Sequence, residues 1–138
     1  NQKYFTIWYG VYNQAKRQLC YASAGHPPAI LLTPTVEGNT QVHHLRTPSV
    51  PIGILTETTY TSDRLTIPEN SILYVFSDGI YETGQASGHS NWGLEAFVDL
   101  LVTLKAEPNL NVMLDRVQRS SGVSTFEDDL SILKVKFC

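Results

Sequence analysis

Two aspartates stand where a hard metal ion could use them. Asp78 closes the run Ser71-Ile72-Leu73-Tyr74-Val75-Phe76-Ser77 and is followed by Gly79. Asp128 stands in Glu127-Asp128-Asp129, directly ahead of Leu130-Ser131-Ile132-Leu133. Both positions read as strand edges, and antiparallel strands or neighbouring sheets could bring the two carboxylates to one end of a sandwich. Oxygen ligands of this kind suit Mg²⁺ or Mn²⁺, which keep several of their waters. Of the pair Asp128 and Asp129, only one side chain can face such a site once the strand has begun, because neighbours point to opposite faces. Read alone, Asp78-Gly79 is equally an ordinary strand-ending turn, and residues 127–129 an exposed acidic loop.

The other reactive side chains carry less. His26 lies in Gly25-His26-Pro27-Pro28, where it is a candidate acid, although two prolines that stiffen a loop explain the motif as well. His43 and His44 are adjacent on an expected strand, point to opposite faces and cannot chelate one ion together. His89 sits in a polar loop without a spacing signal. Cys20, between Leu19 and Tyr21, reads as inert core, and with Cys138 it forms no disulfide framework, so a reduced, cytoplasmic setting is expected.

Positioning these groups requires a folded core, and the composition allows one. The 138 residues are 42% hydrophobic and 17% charged, within the range of a single folded domain. A net charge of -3 and the absence of a basic stripe argue against nucleic acid as a partner, and Lys16-Arg17 reads as solvated charge. No apolar run is long enough to span a bilayer, so no membrane contact is expected.

Along the chain, Tyr4–Tyr12 and Leu19–Ala24 are rich in β formers and predict an antiparallel pair joined by a short polar connection. Ala29–Leu32 and Val42–Leu45 predict a second pair, with a tip around Glu37-Gly38-Asn39. Residues 47–59 are punctuated by Pro48, Pro51 and Gly53 and read as a mobile flap. Tyr60–Ile67 alternates, with Leu65 and Ile67 facing in. The apolar run Ile72–Ser77 suits a strand buried on both faces. Leu94, Phe97, Val98 and Leu101 recur at helical spacing, as do Leu110, Met113, Leu114 and Val117, the latter between an Asn109 N-cap and Gly122. Leu130–Phe137 predicts a closing strand. Strands, then helices, then one strand is an α+β order.

Four blocks now carry a resemblance: Ala22-Ser23-Ala24-Gly25-His26-Pro27-Pro28, Val50-Pro51-Ile52-Gly53, Leu73 through Glu82, and Asp128-Asp129-Leu130-Ser131-Ile132-Leu133. In this order they resemble the metal-dependent type 2C protein phosphatases, in the bacterial branch typified by sporulation and sigma-regulator phosphatases. Asn91-Trp92-Gly93 is similar to that branch's aromatic-glycine step, with Trp in place of Phe. The resemblance implies a two-sheet antiparallel β-sandwich flanked by helices and two Mg²⁺ or Mn²⁺ ions in a cleft. It implies Asp78 and Asp128 as metal ligands, with Gly79, Gly25, His26 and Asp129 beside the cleft. The ions would activate a water for direct attack on phosphorus. It also implies a phosphorylated anti-sigma antagonist as the substrate.

Members of the branch carry an upstream aspartate that bridges both metals, and nothing ahead of Tyr4 supplies it. Residues 1–138 are therefore expected to be the C-terminal portion of one such domain, its N-terminal part missing. Alone, the chain is expected to bind Mn²⁺ weakly, to hydrolyse nothing, and to offer unpaired edges for a homodimer. The alternative is a non-catalytic phosphatase-like module that docks a regulatory partner. A receiver-like or hydrolase fold with Asp78 as nucleophile is disfavoured, because it needs alternating βα units ahead of Asp78.

Overall fold

Strand signals at the start of the chain resolve into a meander. In the computed structural model, which describes residues 3–82, 92–123, 125–126 and 129–138, β1 (Ile7–Asn13) pairs antiparallel with β2 (Gln18–Ala24). Tyr4 and Phe5 fall outside the strand predicted for them. Phe5 instead exchanges backbone hydrogen bonds of 3.0 and 2.8 Å with Ile52. The remaining strands are β3 (Ala29–Pro34), β4 (Thr40–Leu45), β5 (Asp63–Thr66), β6 (Ile72–Phe76) and β7 (Ile132–Lys136). They form two sheets, β1-β2-β5 and β4-β3-β6-β7. The strand expected over Tyr60–Ile67 is shortened to β5, and the closing strand starts at Ile132.

The chain divides into two units, Asn1–Val75 with Leu133–Cys138, and Phe76–Ile132. Within the first, the inward faces of both sheets share one core. Leu19 and Tyr21 of β2 and Ile67 beyond β5 join Ala29 and Leu31 of β3, Leu45 of β4, Leu73 of β6 and Phe137. Trp8 completes it by stacking on Tyr21, its ring 9° from parallel, while its Nε1–H donates to the Leu45 carbonyl at 2.9 Å. This is the expected antiparallel sandwich.

Two readings of single residues are corrected here. Period-2 alternation sends Leu19 and Tyr21 inward, so Cys20 between them points outward and is exposed, not core. Arg17 is not solvated charge. It takes a left-handed backbone with φ 50°. Its Nε–H donates to the Ile67 carbonyl at 3.0 Å and its Nη1–H to that of Cys138 at 3.1 Å.

Tyr74, paired with Ile30, is fully buried, and no described residue meets its hydroxyl. Burial pushes its ionisation up to about 12. The unfolded phenol ionises near 10, so folding keeps Tyr74 protonated where the open chain would lose the proton. Stability from this group is complete below about pH 10 and falls as pH rises towards 12. Urea unfolding at pH 8 and pH 11.5 is expected to show this loss, and Tyr74→Phe should reduce it. At pH 8 the Phe variant should be at least as stable as the parent, within about 1 kcal/mol, because it removes a buried hydroxyl that lacks a protein partner. A markedly destabilised variant would mean the hydroxyl does have a partner.

The second unit holds α1 (Gly79–Glu82), α2 (Leu94–Thr103) and α3 (Leu110–Ser121). Phe97, Val98 and Leu101 of α2 are buried, as are Met113 and Val117 of α3, so the predicted apolar faces serve packing. Asn109 caps α3 by accepting from the Asn111 N–H at 2.9 Å, and Gly122 ends it with φ 76°. Phe97 meets Phe76 edge to face at 4.9 Å, and the Trp92 Nε1–H donates to the Ile80 carbonyl at 3.3 Å. That anchoring gives the Trp92-Gly93 step its physical role.

Candidate metal centre

Asp78 is carried by the end of β6, a strand whose residues Ile72, Leu73, Tyr74 and Phe76 are buried. Such a strand has little freedom, so the carboxylate that follows it is held by the core while staying exposed. The strand does end in a turn at Asp78, and that turn leads directly into α1. The Asp78 carbonyl accepts from Tyr81 and Glu82 N–H groups at 3.2 and 3.0 Å. Gly79 is the buried first residue of that helix and keeps a helical backbone.

Ser77 ties this corner to the chain entering β7. Its N–H donates to the Ser131 carbonyl at 2.9 Å, and the Ser131 N–H donates back to Ser77 Oγ at 2.9 Å. The Ser77 hydroxyl also lies 3.5 Å from the Asp129 carbonyl. The structure therefore brings Ser77, the residue ahead of Asp78, beside residues 129 and 131. Asp128 lies outside the described residues, as does His89.

The electrostatics of the corner are acidic. Burial raises the ionisation of Tyr81, and the negative charges of Glu82 and then Asp78 raise it further. Among the described residues no hydrogen bond or ion pair engages the Asp78 carboxylate, leaving its oxygens available. A free carboxylate on a rigid strand end fits a hard divalent cation by donor chemistry. Among the described residues no three His, Cys, Asp or Glu side chains gather into a metal-holding group.

The remaining predicted residues belong to the first unit. Gly25 follows β2 with φ 63°, and a Cβ there would stand 2.4 Å from the Pro51 Cγ. Only glycine tolerates both the left-handed backbone and the contact. His26 is half-buried and its Nδ1 lies 2.9 Å from the Pro27 carbonyl, the local contact of a stiffened loop. His43 lies 3.0 Å from the Thr33 hydroxyl through Nε2, while His44 is exposed on the other face, as alternation requires.

Sequence reading missed a buried polar clasp between Ser23 and Thr47. The Ser23 N–H donates to Thr47 Oγ1 at 2.8 Å and the Thr47 N–H to Ser23 Oγ at 2.9 Å, with Ser49 Oγ on the Ser23 carbonyl. Residues 47–53, read as the start of a mobile flap, are thus fastened to β2 and to Phe5. A hydroxyl two residues ahead of Gly25 was the available signal, but its partner lay 24 positions away.

The model of the stage II sporulation protein E family, SpoIIE, matches residues 1–137. The chain belongs to this family. The PP2C phosphatase domain of SpoIIE from Bacillus subtilis, solved with a fragment of its regulatory domain, superimposes with a TM-score of 0.72 at 20% identity. That match covers 96% of this chain and 37% of the other. The RsbU and RsbW domains of a Mycobacterium tuberculosis protein give 0.70 at 21% identity, covering 96% and 36%. The manganese-presoaked phosphatase domain of the Bacillus subtilis protein gives 0.64 at 16% identity, covering 96% and 56%. At these identities the likeness establishes the fold, that of PP2C phosphatase domains. The chain spans between about a third and just over half of the solved chains it matches. No curated protein sequence matches it. Among the described residues no helix of this SpoIIE-family chain is long and apolar enough to cross a membrane.

Proposed function

We propose that this SpoIIE-family chain is the C-terminal portion of a Mg²⁺- or Mn²⁺-dependent serine/threonine phosphatase domain. One observation carries the reading: Asp78, exposed and unpaired among the described residues, stands just after buried β6, next to Ser77, which is tied to residues 129 and 131. Placed just after a buried strand and open to solvent, this carboxylate has the setting a ligand position demands. Asp78 and Asp128 are the residues assigned to hold metal, with Asp129 and Gly79 adjoining them.

When bound, the metals supply a Lewis acid for the phosphoryl oxygens and an activated water. The chain's own part is to hold carboxylates in place. The substrate proposed is a phosphoserine- or phosphothreonine-bearing antagonist of an anti-sigma factor, in the cytoplasm. Gly25 and His26 are assigned to the cleft side of the domain, His26 through the rigidity of its loop.

The test uses the longer natural polypeptide and a phosphoserine peptide, with and without Mn²⁺. Metal-dependent phosphate release is expected from it and none from residues 1–138 alone. Turnover by the 138-residue chain would overturn the assignment of an incomplete domain. No turnover by the folded longer protein would leave the phosphatase-like docking module as the reading.

A further inference from the structure

Ser77 stands one residue past the end of β6, and Ser131 one residue ahead of β7. Along an antiparallel pair, every second set of facing residues exchanges both backbone hydrogen bonds, N–H to C=O in each direction, and Ser77 with Ser131 continues that set beyond the strands. Ser77 and Ser131 make only the first of these, Ser77 N–H to the Ser131 carbonyl at 2.9 Å. The return bond goes to the Ser77 side chain, with the Ser131 N–H donating to Oγ at 2.9 Å. The Ser77 carbonyl is thereby released from the ladder, and it accepts from the Ile80 N–H at a longer 3.4 Å, opening the turn into α1.

One hydroxyl therefore lets a single residue serve three segments: the end of β6, the start of α1 and the segment entering β7. Without it, the Ser131 N–H would lose the acceptor it has here. Asp78 sits between the released carbonyl and α1, and Asp129 heads the segment that the hydroxyl holds. On the metal-dependent reading above, we infer that Ser77 is a positioning residue for the metal centre. It sets where Asp78 stands relative to segment 129–131, and touches no metal itself.

Outer-shell groups that hydrogen-bond a metal's ligands are worth about 10- to 100-fold in affinity, and a hydroxyl that holds the neighbouring segment in place is expected at the lower end. The probe is Mn²⁺ alone, titrated into the longer natural polypeptide with free ion counted by electron paramagnetic resonance. The parent, Ser77→Ala, Ser77→Thr and Asp78→Asn are compared well below their melting temperatures. Ser77→Ala is expected to weaken Mn²⁺ binding by about 10-fold or more. Ser77→Thr, which keeps the oxygen, should restore it to within a few-fold. Amide exchange at Ser131 should accelerate in the Ala variant only.

Equal affinity in Ser77→Ala and the parent overturns the inference, as does a Thr variant as weak as the Ala one. Should the Ala variant not fold, a Thr variant with parental affinity and parental Ser131 protection supports it, and one that loses either overturns it. Failure of the underlying reading looks different: Asp78→Asn would then bind like the parent, or the parent would bind no Mn²⁺. Either result removes the positioning role together with the metal centre.

Discussion

Asp78→Asn is expected to lower metal-dependent phosphate release by the complete domain by about two to three orders of magnitude, the scale of losing one charge-stabilising group from a preorganised site. The substitution keeps shape and removes charge. Asp78 is exposed and its carboxylate has no partner among the described residues, so stability should change by no more than about 0.5 kcal/mol. Loss of turnover in a protein that melts like the parent therefore reports on chemistry. Asp128→Asn should fall as far, and the double variant little further, because residues acting as one unit are not additive. Steady-state assays across a Mn²⁺ series decide it. Parental turnover in Asp78→Asn at saturating Mn²⁺ would remove Asp78 from the ligand set.

The second large effect concerns the sandwich. Leu31 is fully buried on β3, the strand paired on one side with β4 through His43 and on the other with β6 through Leu73. Its side chain joins the core with Leu19, Tyr21 and Ile67 contributed by the opposite sheet. Leu31→Ala is expected to cost about 2–5 kcal/mol, from lost transfer free energy and the cavity left behind. Against a typical total of about 5–15 kcal/mol, that is a large share of the stability. Leu133→Ala, on an exposed face of β7, should stay within about 0.5 kcal/mol. Urea midpoints of the two variants separate the cases. A loss below about 1 kcal/mol for Leu31→Ala would mean the sheets do not pack through this residue.

Much of this chain could be read without coordinates, where local chemistry decides. The Asn109 cap and Gly122 terminus of α3 depend on neighbours within a few residues, and both stand as expected. Alternation placed Leu65 and Ile67 inward and separated His43 from His44, because successive strand side chains face opposite ways. The same rule, applied to Cys20, would have put it outside between Leu19 and Tyr21. Its apolar neighbours suggest core, but the strand period decides which way it points. The four blocks carrying the family resemblance are also local, and the SpoIIE family match over residues 1–137 agrees with them.

Tertiary structure alone decided the contacts between distant positions. Arg17 looks like a solvated charge until Ile67 and Cys138 stand beside its guanidinium. Residues 47–53 look free until the Ser23 and Thr47 hydroxyls meet across 24 positions. Ser77 carries no spacing signal, since its meaning lies in Ser131, 54 positions away. Sequence by itself determined the strand and helix pattern and the aspartate that follows β6, because burial periodicity and capping are short-range. The partners of the polar side chains were set by the packing of the sheets and loops, because hydrogen bonds act over about 3 Å of space regardless of separation along the chain.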